Sequence, residues 1–240
     1  PSASYLDQIC KENCDGALYL IQEAQNIRDT VVPRVMPPVL DELPNDPDGN
    51  YRVSWEEQNP SAEPDYFQLD ELSGLSIGTD DAESGSGLWT LDGFALSTSR
   101  FHSAGNSFKS RYTNADVSSM TTVYPIPITS GMKLSFYCWY NTENNFDDAF
   151  VEVSTDGRYY EVLDVFTGSS SNWQYKEYDL SNYTGESLFI RFRYTTDSNI
   201  LQEGFYVDDI TPVADVVTVT TLSSTITSPY YDINGKTNGT

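Results

Sequence analysis

Hydrophobic and polar positions change their period along this chain, and the change divides it. Among residues 5–30, Ala17, Leu18, Leu20, Ile21, Ala24 and Ile27 recur at spacings of three and four, which predicts one helix with an apolar face. Asn13 or Asp15 can cap its start. Pro33 and Pro37-Pro38 forbid its continuation, because proline lacks the amide donor and clashes with the preceding turn. From Tyr51 the period falls to two: Tyr51, Val53 and Trp55 point one way, Arg52 and Ser54 the other. Between Leu75 and Val213 the β pattern is dense. Residues 150–155 alternate up to Asp156-Gly157, a pair suited to a type I′ turn, and 158–165 run back as a hairpin. Residues 188–194 and 205–210 supply two more strands. Many short strands parted by Gly, Ser and Asn predict a two-sheet sandwich, without a tandem repeat.

Composition narrows the partners more than the fold. The 240 residues include 32 aromatics (17 Tyr, 11 Phe and 4 Trp), too many for a disordered chain, and enough length for one large or two modest domains. Against 36 Asp and Glu stand 13 Lys and Arg, a formal net charge of −23. That field repels phosphate backbones and anionic head groups and attracts cations, so nucleic acid is excluded as a partner. No apolar run approaches the ~18 residues that cross a bilayer, which excludes membrane insertion. The chain starts at Pro1 with neither an initiator Met nor a signal peptide and reads as a mature or excised form.

Few residues could carry covalent chemistry. Cys10, Cys14, Cys138 and His102 are the whole cysteine and histidine complement, and a zinc cage would need all four to converge from three distant segments. Cys10 and Cys14 form a disulfide or stay as two free thiols. Cys138 alternates with Leu134 and Phe136 and reads as a buried small hydrophobe. His102 beside Ser103 lacks the orienting acid and oxyanion hole of a triad, and neither G-x-S-x-G nor a phosphate loop occurs. The acidic residues are the better candidates. Asp80, Asp81 and Glu83 open the sandwich while Asp208 and Asp209 close it, and the six to eight oxygens that calcium needs could come from both ends. Alternation sends Val207 and Asp209 to one face, so one aspartate points inward, either to a cation or to backbone donors in a loop. Asp147 and Asp148 with Glu143 read as a solvated loop tip, and 46–50 as a plain turn. Trp89, Trp139 and Trp173 offer faces for sugar stacking, but aromatics at alternating strand positions read more economically as core packing. Asn182-Tyr183-Thr184 and Asn238-Gly239-Thr240 are glycosylation sequons in a secreted protein.

Three stretches resemble known families. Asp81-Ala82-Glu83-Ser84-Gly85, Gly87-Leu88-Trp89, Leu134-Ser135-Phe136, the run from Asp147 to Gly157, Tyr178-Asp179-Leu180 and Tyr206-Val207-Asp208-Asp209-Ile210 resemble, in that order, the jelly-roll domain of secreted immune inhibitor A-type metallopeptidases, itself similar to MAM domains. The resemblance implies a β-sandwich for adhesion or substrate docking, often with calcium, and no catalytic centre. Residues 48–56 with Trp55, and 65–71, are similar to the first strands of a fibronectin type III domain; residues 224–228 and 231–240 resemble a later strand and loop of the same fold. Pro1-Ser2, Tyr5-Leu6 and Glu12 to Ala24 resemble the closing helix of secreted zinc carboxypeptidases, whose metal ligands and general base would all precede Pro1.

The expected architecture is therefore mainly β: a jelly-roll β-sandwich inserted into a split, incomplete fibronectin type III-like sandwich, with one N-terminal α-helix. Residues 1–35 form the helix and linker, 36–73 and 214–240 the halves of the fibronectin-like domain, and 74–213 the jelly roll. The expected role is extracellular and non-catalytic, with calcium but no zinc in this chain, and a peptidase catalytic domain as its partner. Binding to an extracellular protein or a glycan, as a carbohydrate-binding module, is one alternative; self-assembly into a filament through strands missing from the incomplete sheet is another.

Overall fold

The structure, a computed structural model, describes residues 38–41, 50–57 and 64–234. The expected helix, Cys10, Cys14 and Asn238 lie outside them. The chain forms two compact units: one comprises Pro1–Glu71 with Thr221–Thr240, and Leu72–Thr220 forms the other. Both are β among the described residues, and no helix there is long and apolar enough to cross a membrane.

In the unit made of the chain's two ends, β1 (Val39–Leu40), β2 (Tyr51–Glu56) and β15 (Tyr230–Ile233) form an antiparallel sheet with β2 central. Tyr230 pairs with Ser54 and Ile233 with Tyr51, so segments almost 180 residues apart share one ladder. The alternation read in β2 decides what is buried. Val53 and Trp55 pack with Ile226 and Ile233, and the indole meets Phe67 edge-on at 5.1 Å between centroids. Arg52, on the opposite face, pairs with Asp232 at 2.7 Å.

The Leu72–Thr220 unit is a sandwich of two six-stranded sheets. The first has the order β11 (Glu161–Phe166), β10 (Asp148–Ser154), β13 (Ser187–Thr195), β7 (Val117–Thr122) and β4 (Trp89–Asp92), with β8 (Ile126–Pro127) also on β13. In the second, β12 (Gln174–Asp179), β9 (Lys133–Asn141), β14 (Gly204–Ile226), β6 (Ser107–Lys109) and β5 (Ala95–Ser97) follow one another, and β3 (Phe67–Asp80) pairs with β14. Period-two alternation supplies the core. Leu188, Ile190, Phe192 and Tyr194 of β13 face Leu134, Phe136 and Cys138 of β9, all 1% exposed or less. Phe192 lies at the centre, edge-on to Phe136 at 4.9 Å and tilted against Trp89 at 6.0 Å.

The β10–β11 hairpin forms as expected, but its turn does not. Only Gly157 has positive φ (68°), and Asp156 does not, so a type I′ geometry is excluded. Asp156 Oδ1 instead accepts from the amides of Arg158 and Tyr159, which lengthens the loop to residues 155–160.

Cys138 behaves as a hydrophobe. It is fully buried, and burial pushes its thiol up to about 12. With Cys10 and Cys14 replaced by Ser, the native chain is expected to leave a disulfide reagent unreacted at mildly alkaline pH and to react once unfolded. Prompt native reaction would show that the core opens around β9.

Candidate functional site

Three of the five predicted acidic residues, Glu83, Asp208 and Asp209, contact the loop that crosses the outer face of the second sheet. In β14 Asp208 pairs with Tyr137 and Thr211 with Ser135, so β14 spends one extra residue, and Asp209 takes a left-handed φ of 51°. This bulge breaks the alternation. Val207 and Ile210 both enter the core, and neither aspartate does, contrary to the expectation from a regular strand. Asp208 is nonetheless fully buried, because the 100–106 loop lies over it. Its Oδ2 accepts from the amides of His102 (2.7 Å) and Ser103 (3.2 Å), and its Oδ1 from Asp209 N (2.8 Å). Burial raises its carboxyl to about 6, against those three amides and with the neighbouring Asp209 charge.

Glu83 grips the far end of the same loop. Its Oε1 accepts from Asn106 N at 2.7 Å and Oε2 from Asn106 Nδ2 at 3.1 Å. Gly105 (φ 109°) passes so close that a Cβ there would sit 2.7 Å from Glu83 Oε2. Asp81 closes a local turn by accepting from Glu83 N. Asp80 is engaged elsewhere: it is buried, and binds Ala82 N (2.9 Å) and the Trp89 indole (2.6 Å). The structure thus brings Glu83, Asp208 and Asp209 to one loop and turns Asp80 toward the indole.

Two further anchors hold this loop. Arg100 lies over the Trp139 ring at 3.7 Å and donates to Glu203 Oε2 at 2.8 Å. His102 stacks on Tyr137, centroids 3.4 Å apart at 12°, and its Nδ1 is 2.6 Å from Asp209 Oδ2. Asp209 supplies the orienting acid that a triad at His102 would need. No triad results, because Ser103 Oγ is buried without a hydrogen-bond partner.

Among the described residues, the three carboxylates whose ligand atoms all approach within 4.8 Å are Glu143, Asp147 and Asp197. Asp147, expected on a solvated tip, is fully buried. Pairing of Asp148 with Thr195 carries the loop before β10 against the loop after β13, and Asp197 N donates to Asp147 Oδ1 at 2.9 Å. The Tyr194 hydroxyl reaches Asp147 Oδ2 at 3.4 Å. Such an all-oxygen set has the chemistry of a hard-cation site. No spacing rule reveals it, since Asp197 is fifty residues from Asp147. Asn182 is exposed on a short 3-10 turn.

No protein-family model matches the chain. It is 33% identical over 110 residues to Bacillopeptidase F of Bacillus subtilis (strain 168), covering 44% of this chain and 8% of that protein. It is 30% identical over 102 residues to Pre-pro-metalloprotease PrtV of Vibrio cholerae serotype O1 (strain M66-2), covering 38% of this chain and 11% of that protein. The chain therefore spans a small part of the curated relatives it matches. Of solved structures, the K3 cleaved adhesin domain of Lys-gingipain from Porphyromonas gingivalis w83 is similar at 17% identity and a TM-score of 0.41, over 58% of this chain and 99% of that one. A xylan-binding domain from CBM 22 is similar at 17% identity and a TM-score of 0.39, over 60% and 96%.

Proposed function

We propose that this chain is a non-catalytic accessory region of an extracellular protease, associated with calcium, which docks the enzyme to its substrate or to a surface. The observation that carries this reading is the confinement of the likeness: about 100 residues match 8% and 11% of two proteases, a module's share of an enzyme. The chemistry agrees, since the single histidine is committed to Tyr137 and Asp209 and, among the described residues, the neighbouring Ser103 Oγ is buried without a hydrogen bond to it. A zinc carboxypeptidase as the parent rests on the helix resemblance at 1–24 and belongs to the same reading. Removing Leu72–Thr220 from the parent enzyme tests it. Hydrolysis of a small soluble peptide is expected to stay unchanged while capture of an insoluble protein substrate falls, and the 240-residue chain alone is expected to hydrolyse neither. Equal losses on both substrates would sink the docking role.

Calcium is proposed at Glu83 and Asp209, with Asp81 and Asp208 in the same region, because carboxylates from both ends of the sandwich hold the same 100–106 loop, Glu83 at Asn106 and Asp209 at His102. A bound ion stabilises the folded state by mass action, about 2.7 kcal/mol at 100 times its dissociation constant. The melting temperature is expected to fall on chelation, and Glu83→Gln with Asp209→Asn to abolish that response. If Asp147→Asn abolishes it instead, the ion sits among Glu143, Asp147 and Asp197; an unchanged melt on chelation removes calcium from the reading.

A second reading, glycan binding, is favoured by the half-buried Tyr137 and Trp173 beside His102 and by the exposed Tyr175 that adjoins Tyr137.

A further inference from the structure

The outer face of the second sheet carries aromatic rings that the core does not use. Tyr175 of β12 pairs with Tyr137 of β9, ring centroids 5.3 Å apart at 56°, and is 53% exposed. His102 covers part of Tyr137, and Trp173 meets the same imidazole edge-on at 6.0 Å. Rings from three chain segments thus line one strip. Trp173 immediately precedes β12, two residues before Tyr175. One end of the strip is polar: the Tyr175 hydroxyl donates to Glu177 Oε2 at 3.0 Å, Lys133 pairs with the other Glu177 oxygen, and both charged side chains are exposed.

We propose that this strip binds a neutral polysaccharide, with Tyr175 and Trp173 stacking on successive pyranose rings and Glu177 and Lys133 bonding their hydroxyls. The proposal rests on the glycan reading above and goes beyond it by naming the surface and the ligand class. A pyranose with equatorial substituents presents a face of C–H bonds, which the negative face of an aromatic ring attracts. Its hydroxyl rim needs both donors and acceptors, and an aromatic floor with a few placed polar groups supplies both requirements. The net charge of −23 disfavours uronic, sulfated and phosphorylated chains, which leaves the uncharged ones.

Calorimetric titration of the full chain with cellohexaose, xylohexaose and mannohexaose tests the strip. Tyr175→Ala and Tyr112→Ala both alter exposed rings, 53% and 60% accessible, so the fold survives each. At least one hexasaccharide is expected to bind; Tyr175→Ala should weaken it by about tenfold, the loss of one stacking contact of about 1.4 kcal/mol, and Tyr112→Ala should leave it unchanged. Binding that survives both Tyr175→Ala and Trp173→Ala would overturn the strip while the glycan reading stands. Failure of all three sugars to bind would overturn strip and glycan reading together, leaving protease docking to its own test.

Discussion

Asp208→Ala is expected to destabilise the Leu72–Thr220 sandwich by about 3 kcal/mol and to free the 100–106 loop. Three amides, those of His102, Ser103 and Asp209, point at one carboxylate that is fully buried. Each buried donor left without an acceptor costs about 1–3 kcal/mol, and relief from burying a charge offsets part of the sum. For a chain of this size the melting temperature should fall by on the order of 10 °C. Asp208→Asn keeps one acceptor oxygen and is expected to lose about half as much. Hydrogen exchange separates loop from core: the amides of His102 and Ser103 should exchange much faster in Asp208→Ala while those of β13 keep their protection. Unchanged protection at both amides would mean that Arg100 and His102 hold the loop without the carboxylate.

The same residue sets a pH dependence. A carboxyl at about 6 in the folded state, against about 4 in the unfolded chain, binds its proton more tightly when folded. This carboxyl therefore contributes a loss of stability as pH rises from about 4 through about 6, a contribution that Asp208→Ala lacks. The stability gap between the two should be widest in acid, and comparing the pair cancels the other carboxylates that titrate over that range.

The residues where sequence reading succeeded are those whose environment follows from period alone. Val53 and Trp55 are buried because β2 alternates, and Cys138 because it follows Leu134 and Phe136 at two-residue steps. The reading failed where one residue departed from its period. Asp209 carries a left-handed φ without being glycine, so Val207 and Ile210, three apart, share a face that alternation forbids. It failed again where partners met only through sheet pairing. Asp147 looked like a loop tip because Tyr194 of β13 and Asp197 of the loop after it, which enclose it, lie far along the chain. The aromatic residues show both outcomes: Trp89 and Trp139 are core or covered, as packing predicts, while Trp173 and Tyr175 line the outer face where only the loop over β9 makes a site.

Glu152→Ala is expected to cost about 3 kcal/mol, through two arginines and no loss of core volume. Glu152 is 2% exposed on the outer face of the first sheet. Arg191, its cross-strand partner, donates from Nε at 2.6 Å, and Arg193 from Nη2 at 2.6 Å. Each guanidinium also covers a ring, Arg191 over Tyr160 at 3.5 Å and Arg193 over Phe150 at 3.9 Å, so neither can turn fully to water without uncovering apolar surface. Removing the carboxylate leaves two like charges side by side. Breaking a buried ion pair costs about 3–5 kcal/mol, and side-chain exposures of 25% and 22% for the arginines put this case at the low end. Replacing all three together, Glu152→Leu with Arg191→Met and Arg193→Met, removes desolvation and attraction alike and is expected to be close to neutral. The charged trio, which bridges β10 and β13, is expected to fix the register of β10. Ala149, Val151 and Val153 face the core, the ladder slips by one residue beside Val151, and a further slip of β10 would drive Glu152 inward. The triple variant should therefore unfold at a similar denaturant midpoint but show doubled amide signals along β10 and β11. A single set of signals would remove the register role, and a cost below about 1 kcal/mol for Glu152→Ala would show that both arginines are satisfied by water alone.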